Sequence, residues 1–428
     1  MSIHKKSYSS EGCDGPECSG PFSSDTCSDD TCSDEICSGD ACSGDTCLYT
    51  KVLHKATCWL EIDKARFFKN VESLKKLIGP TVAVAAVLKS NAYGHGLCEI
   101  GSLCQEHESF SGCAVFLLSD AIKLRSSGFR KSILILGGYD CAIEEAINND
   151  VDCVVYDWAL VNEIIACAQK CKKQARVQIK VDTGLARLGF APEEVPHVAQ
   201  HLLKSKCVTI TGMYSHFAES DSVDTSFTYK QIQKFNNVYA ALQSMKIEMS
   251  CVHIANTAAS LRFPEARFSM VRCGGALYGS YKDECFYGDA QEIVPDFSLQ
   301  TVLTFKSRII AVRKISVGMP VGYGCSFKAK HSMCLAIVSV GYYDGYDRRL
   351  SNTGRMVIRG KKVSVVGRVG MNMTVIDVTD VPGVVVGDEV IVVGDYDGVR
   401  LKDIACQMNV IEYEVMPSLN PAIKRIIV

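Results

Sequence analysis

TVAVAAVLKSNAYGHG, residues 81–96, decides how the chain is read. Its first eight residues are apolar or β-branched without alternation, too few for a helix, and they stop at a lysine followed by a glycine-punctuated turn. That pattern is a strand buried on both faces and running into a loop. The same kind of run returns downstream at 113–118 (CAVFLL), 133–137 (ILILG), 151–156 (VDCVVY) and 177–182 (VQIKVD), then at 208–214 (VTITGMY), 251–255 (CVHIA) and 270–277 (MVRCGGAL). Segments of helical period lie between them, such as CAIEEAINND and ALVNEIIACAQKCKK. Eight strands alternating with helices make an α/β chain of the (β/α)₈ barrel type, whose chemistry gathers where the strands end. There the sequence places Lys89, Lys180, Arg187, His216, Asn256, Arg272 and the glycines after Arg272.

Beyond residue 295 the texture changes. FSLQTVLTFKSRIIAVRKI, MCLAIVSVGYYDG, RMVIRGKKVSVVGRV, TVIDVTDV and DEVIVVGD are β-rich runs separated by glycine, asparagine and aspartate turns. No long helical period intervenes until 401–415, so a mostly β domain is expected over 295–428. The barrel domain is expected over 51–294, with a first strand near 56–62 free to join the β domain.

Residues 1–50 are of another kind. Seven of the 22 cysteines fall here, and Cys27, Cys32, Cys37, Cys42 and Cys47 recur every five residues. Ten acids against Lys5 and Lys6 give this segment a charge of −8, which leaves +6 for the rest of a chain whose net charge is −2. So few apolar residues under so much charge cannot offset the entropy of ordering, and a disordered acidic tail is expected. Its cysteine spacing lacks the close pairs and histidines of zinc sites, so no metal is assigned. The other cysteines sit mostly in apolar stretches, where a reduced thiol packs as a small hydrophobe, and this points to a reducing, cytoplasmic setting.

Over all 428 residues, 47% are apolar and 22% charged, with 46 basic against 48 acidic side chains. This is the composition of a globular protein, with no charge excess for nucleic acid, and no apolar run long enough to cross a membrane is present.

Taken singly, each strand-end residue has an ordinary reading: an exposed lysine, a surface arginine, a core histidine. Together they resemble the alanine racemases, in order and spacing, over nearly all of residues 58–428. In AVLKSNAYGHG (86–96), Lys89 resembles that family's pyridoxal-phosphate lysine, and a lysine among apolar neighbours can lose its proton and form a Schiff base. The resemblance makes Tyr93 a phosphate contact. In KVDTGLARLG (180–189) it gives Arg187 to the cofactor's phenolic oxygen and a substrate carboxylate, and Lys180 to a position carbamylated in some members. His216 in SHFAESD, Asn256 and Thr257 in HIANTAA, and Arg272, Gly274 and Gly275 in MVRCGGALYG complete the implied cofactor set. Arg272 implies a pyridine nitrogen kept unprotonated, which suits returning a proton to the carbon it left.

In the β domain, PVGYGCSF (320–327) implies Tyr323 as a second acid/base. Racemisation removes a proton from one face of Cα and returns it on the other, so Lys89 and Tyr323 would flank the cofactor. VGYYDGYDRRLSN (340–352) implies a substrate-entrance segment with Tyr342, Asp344 and Arg348, and GRVGMNM (367–373) implies Met371 donating its backbone N–H to the substrate carboxylate. The family's sharing of sites between subunits implies a homodimer. The activity implied is interconversion of L- and D-alanine, a peptidoglycan precursor, with serine or a broader range of amino acids as the alternative. A decarboxylase of the same architecture is disfavoured by Arg272, and a non-catalytic cofactor carrier by the second domain. Three departures stand out. Asn372 replaces the usual aspartate, Pro421 stands at what the resemblance makes a pocket-lining, phosphate-touching tyrosine, and Ala422 replaces an arginine. They are expected to leave a roomier pocket.

Overall fold

The computed structural model describes residues 57–280 and 284–428; the expected tail lies outside the described residues. The chain enters on β1 (Cys58–Ile62), then a helix over Lys64–Ile78. Asp63 caps that helix by accepting the Arg66 N–H at 2.9 Å, worth about 1 kcal/mol against alanine. Phe67, Val71, Leu74 and Ile78 recur at helical spacing and are buried.

Eight parallel strands follow: β2 (Ala83–Val87), β3 (Phe110–Leu117), β4 (Ser132–Gly138), β5 (Cys153–Val155), β6 (Ala175–Lys180), β7 (Val208–Tyr214), β8 (Cys251–His253) and β9 (Met270–Cys273). They form two four-stranded ladders, β4-β3-β2-β9 and β5-β6-β7-β8. A parallel bridge between Leu134 and Asp152 joins them at one seam. At the other, Ser269 N–H donates to Val252 O at 3.2 Å and Arg272 N–H to Ala255 O at 3.0 Å. The sheet therefore closes into a barrel. Its strands are short and nearly continuously apolar because side chains on both faces are buried, by the barrel interior and by the helices outside.

Two strands end sooner than their apolar runs suggest. The run 270–277 is a strand only to Cys273; at Gly274 (φ −117, ψ −91) the chain turns, and Gly275–Tyr278 wind into a 3₁₀ turn. The run 177–182 ends at Lys180, because the Asp182 carboxylate accepts the N–H groups of Gly184, Leu185 and Ala186 at 2.9–3.2 Å and folds the loop carrying Arg187.

The C-terminal part is β-rich: β10 (Leu303–Ile315), β11 (Pro320–Val321), β12 (Phe327–Lys328), β13 (Met333–Val338), β14 (Arg355–Ile358), β15 (Lys361–Ser364), β16 (Thr374–Asp377), β17 (Glu389–Val393) and β18 (Arg425–Ile427). Helices Leu401–Met408 and Glu412–Ser418 precede β18. β10 is the spine, pairing antiparallel with β1, β13 and β17. β1 lies between β10 and β18, so the first strand of the described chain is part of the C-terminal sheet. No described helix is long and apolar enough to cross a membrane.

Arg425, buried on β18, ties this sheet to the barrel mouth. Its guanidinium donates to Gly94 O from Nε at 3.1 Å and from Nη2 at 3.0 Å, and to the carbonyls of Asn420, Ile423 and Leu419. Gly94 ends the turn that begins at Lys89. Five hydrogen bonds from one buried side chain hold the C-terminal segment against that turn. Arg425→Met is expected to lower the unfolding free energy by about 3 kcal/mol, since it leaves buried carbonyls without donors. Arg425→Lys should restore only part, because an ammonium cannot reach the same spread of acceptors. Urea denaturation of the three proteins checks this; full recovery with lysine would contradict the fork geometry.

Candidate active site

The C-terminal ends of the barrel strands open on a cavity of about 930 Å³. Lys89 is the first residue of the turn after β2. Ser90, Asn91, Ala92 and Tyr93 all have φ between +52° and +55°, a left-handed turn built without glycine. Single non-glycine residues visit this region at a cost of order 1 kcal/mol each, so four in a row must be held by their surroundings. Asn91 Oδ1 accepts the Leu97 N–H at 2.8 Å, and Gly94 is clamped by Arg425 and approached by the Met416 carbonyl, which a Cβ would meet at 2.0 Å. The turn aims the Lys89 ammonium into the cavity, 5.7 Å from the Tyr93 ring centroid.

Four cations share this wall: Lys89, Lys180, Arg187 and Arg272. Desolvation first, then Arg187 and Arg272, hold the Lys89 ammonium below the ordinary lysine range. Lys180, buried at the end of β6 with Nζ 5.4 Å from the Tyr214 ring centroid, is pushed down to about 8 by burial and the same two arginines. Arg272 is buried, and desolvation brings it to about 10, still charged at neutral pH. Its Nη2 donates to Ser215 O at 2.8 Å, His216 Nδ1 at 3.1 Å and Ile254 O at 3.2 Å, and its Nη1 donates to His253 Nδ1. Both imidazoles are held well below the usual histidine value by burial and then by Arg272. They are neutral, and each turns a lone pair to the guanidinium.

The lining also carries hydroxyls and small residues. Thr257 Oγ1 accepts the Gly274 N–H at 3.2 Å. A Cβ on Gly274 would lie 2.5 Å from the Tyr93 hydroxyl, and one on Gly275 2.1 Å from the Tyr413 hydroxyl. Paired glycines here make room for two phenols, which burial keeps protonated: Tyr93 is raised well above its ordinary value and Tyr413 to about 12. Asn256 Oδ1 accepts the Ala259 N–H and the Ser220 hydroxyl, both at 2.9 Å, capping the helix Thr257–Arg262.

The cavity thus brings together Lys89, Tyr93, Arg187, His216, Asn256, Thr257, Arg272, Gly274 and Gly275. Tyr323, Tyr342 and Met371 do not line it; they are 73%, 42% and 56% exposed on the β domain. Tyr342 N–H donates to Gly370 O and Tyr343 N–H to Met371 O, each at 3.0 Å, and Gly322 packs on Arg368, so the three stand on neighbouring turns. The expectation that Pro421 and Ala422 widen the pocket is corrected: both are exposed and outside the lining, and Tyr413 and Pro417 build that wall. Tyr413, which lines the cavity, and His253, which contacts Arg272, are not singled out by sequence reasoning. The apolar spacing of YEVM, which buries Val415 and Met416 from the same helix, was the available signal for Tyr413.

Residues 62–282 match the alanine racemase N-terminal domain family and residues 302–427 the alanine racemase C-terminal domain family. The chain is 34% identical over 372 residues to the alanine racemase of Clostridium perfringens, spanning 86% of this chain and 94% of that protein. It is 33% identical over 373 residues to that of Methanococcus maripaludis, spanning 86% and 98%. Among solved structures, alanine racemase of Clostridium difficile 630 superposes with a TM-score of 0.82 at 29% identity, covering 87% of this chain and 96% of that one. Alanine racemase of Bacillus anthracis with bound L-Ala-P superposes with a TM-score of 0.76 at 29% identity, covering 87% and 95%.

Because the Tyr413 hydroxyl occupies the space of a Cβ at 275, Gly275→Ala should destabilise the protein by about 1–3 kcal/mol. Tyr413→Phe in the same chain removes the clashing oxygen and should recover part of that loss, a coupling that a double-mutant cycle on unfolding free energies measures. Strict additivity would contradict the contact.

Proposed function

The chain belongs to the alanine racemase family, and we propose from that premise that the cavity at its barrel mouth is where L- and D-alanine exchange configuration. The chain is a pyridoxal-phosphate-dependent isomerase acting on alanine. When bound, the cofactor supplies an aldehyde that takes up an amine and an electron-withdrawing ring that acidifies the α-carbon. The cavity fits such a group. Its lining offers protonated phenols and the Thr257 hydroxyl beside the space that Gly274 and Gly275 leave open, which suits a phosphate, together with a lysine held below the ordinary lysine range.

In this reading Lys89 anchors the cofactor and then moves a proton on one face of the alanine α-carbon. The tyrosines, Thr257 and the backbone of Gly274 and Gly275 bind the phosphate, with Asn256 fixing the helix that presents Thr257. Arg272, kept charged and held by neutral His216 and His253, would hold the cofactor's ring nitrogen and keep it unprotonated. Arg187, exposed to the cavity on the loop that Asp182 folds, takes the cofactor's phenolic oxygen and the substrate carboxylate. The second proton carrier is Tyr323. Because Tyr323, Tyr342 and Met371 project from an exposed apolar patch that includes Tyr343 and Met373, they are proposed to close the barrel mouth of a second copy in a homodimer. There Met371 N–H meets the substrate carboxylate and Tyr342 stands at the entrance. A cytoplasmic setting is proposed with it, from described cysteines that are free thiols.

The observation that carries this reading is the convergence of nine residues from five separate strand ends on one cavity that holds a depressed lysine. The purified protein supplied with pyridoxal phosphate should turn L-alanine into an equal mixture of both enantiomers, followed by chiral chromatography. Lys89→Ala and Tyr323→Phe should each lower turnover by at least ~100-fold, the scale of a lost acid/base. Mixing the two inactive proteins should restore about a quarter of wild-type activity, the share of intact sites that random subunit exchange produces in a symmetric dimer. No D-alanine from the wild type would refute the site; hybrids that form without activity would refute the sharing.

A further inference from the structure

His253 touches Arg272 with Nδ1, and a guanidinium has only donors to offer. Nδ1 must therefore be the lone-pair nitrogen, and the ring proton must sit on Nε2. That proton is buried on β8 and needs an acceptor. It has one: Gln178 Oε1, 2.8 Å away on β6. Gln178 is itself buried, and it reaches His253 past Gly212, its Cα partner on the intervening strand β7, where there is no side chain in the way. Its carboxamide nitrogen faces the Cys251 thiol, so the amide cannot turn its oxygen away without putting N–H against N–H.

We propose that Gln178 is a positioning residue for racemisation: its carboxamide oxygen fixes His253 in the Nε2–H tautomer, so that Nδ1 stays open to hold Arg272 in place. A carboxamide can do this where a carboxylate cannot. Both accept the Nε2 proton, but a carboxylate also stabilises the imidazolium, whose Nδ1–H would confront the guanidinium. Apart from Arg272, which favours the same tautomer, no other described group around His253 supplies an acceptor charge that competes with Gln178. Tyr214, stacked on the ring at 5.0 Å, is a phenol that burial keeps neutral, and the Cys251 thiol is pushed up to about 12. Asp152, the nearby buried carboxylate, is engaged by Arg176 at 3.0 Å and by the Thr211 hydroxyl at 2.9 Å.

The inference rests on the barrel mouth being the site of isomerisation, and the test separates the two. Wild-type holoenzyme without alanine racemisation would sink that reading, whereas the tautomer of His253 reports on Gln178 alone. Long-range ¹⁵N–¹H spectra of histidine-labelled holoenzyme, with His253 assigned by its loss in His253→Asn, should show only the Nε2–H form. Gln178→Met keeps the shape and removes the acceptor; an Nδ1–H population should appear, and kcat should fall roughly tenfold, the usual scale for an outer partner of a site residue, with KM for alanine little changed. Gln178→Glu restores the acceptor and adds charge. Its kcat should recover at alkaline pH and be lost as pH falls through a new ionisation that the wild-type profile lacks. Wild-type kcat and wild-type His253 signals in Gln178→Met overturn the proposal. So does a Gln178→Glu profile that matches the wild type, which decides the matter even if the methionine variant does not fold.

Discussion

Four cations packed at one end of a barrel form the constraint to which the rest of the structure answers. Lys89, Lys180, Arg187 and Arg272 line one cavity, and two of them, Lys180 and Arg272, are buried. Like charges held this close in a poorly hydrated wall favour the neutral form of whichever group can give up its proton. Arginine does not yield, so the lysines and the imidazoles do. His216 is depressed by burial and by all four cations. Lys89 and Lys180 are lowered by burial and by both arginines. The result is a cavity with a fixed charge at Arg272, neutral acceptors around it and an amine held below the ordinary lysine range beside it. That combination suits a reaction which needs a proton moved but no proton placed on a ring nitrogen.

The backbone pays for this arrangement in strain, and the C-terminal sheet offsets it. The left-handed turn Ser90–Tyr93 aims Lys89, and its local hydrogen bonds, such as Gly94 N–H to Ser90 O at 3.0 Å, are joined by contacts from outside it. Arg425 on β18 grips Gly94 O, and the helix Glu412–Ser418 lays the Met416 carbonyl against the same glycine. The helix also delivers Tyr413 to the hydroxyl-rich wall. The β-rich part of the chain is thus needed for the geometry of its own barrel mouth, quite apart from what its exposed tyrosines do.

The barrel was legible because each of its strands is buried on both faces and so leaves an apolar run bounded by turns. The runs failed as boundaries where an apolar stretch continues past the ladder: Gly274 turns the chain after Cys273, and Asp182 folds a loop after Lys180. The membership of β1 in the C-terminal sheet, which the sequence leaves open for a strand near 56–62, is decided by its pairing of Leu60 with Phe305, and no local pattern encodes that register. In the site, residues carried by short motifs were readable by resemblance. Those defined by what they face were not. Gln178 and His253 meet through strand register, and Tyr413 is placed by the gap at Gly275. Pro421 lies outside the lining for the same reason: position in a motif does not fix position in space.

The central claim is that burial and the neighbouring arginines lower the Lys89 ammonium below the ordinary lysine range, toward its reactive free base. Its most direct test is the pH dependence of the rate at which apoenzyme takes up pyridoxal phosphate, followed by visible absorbance. The account predicts an inflection below the ordinary lysine value of ~10.4, moving upward in Arg187→Gln, where one repelling charge is gone. An inflection at the ordinary value, unmoved by that substitution, would contradict it.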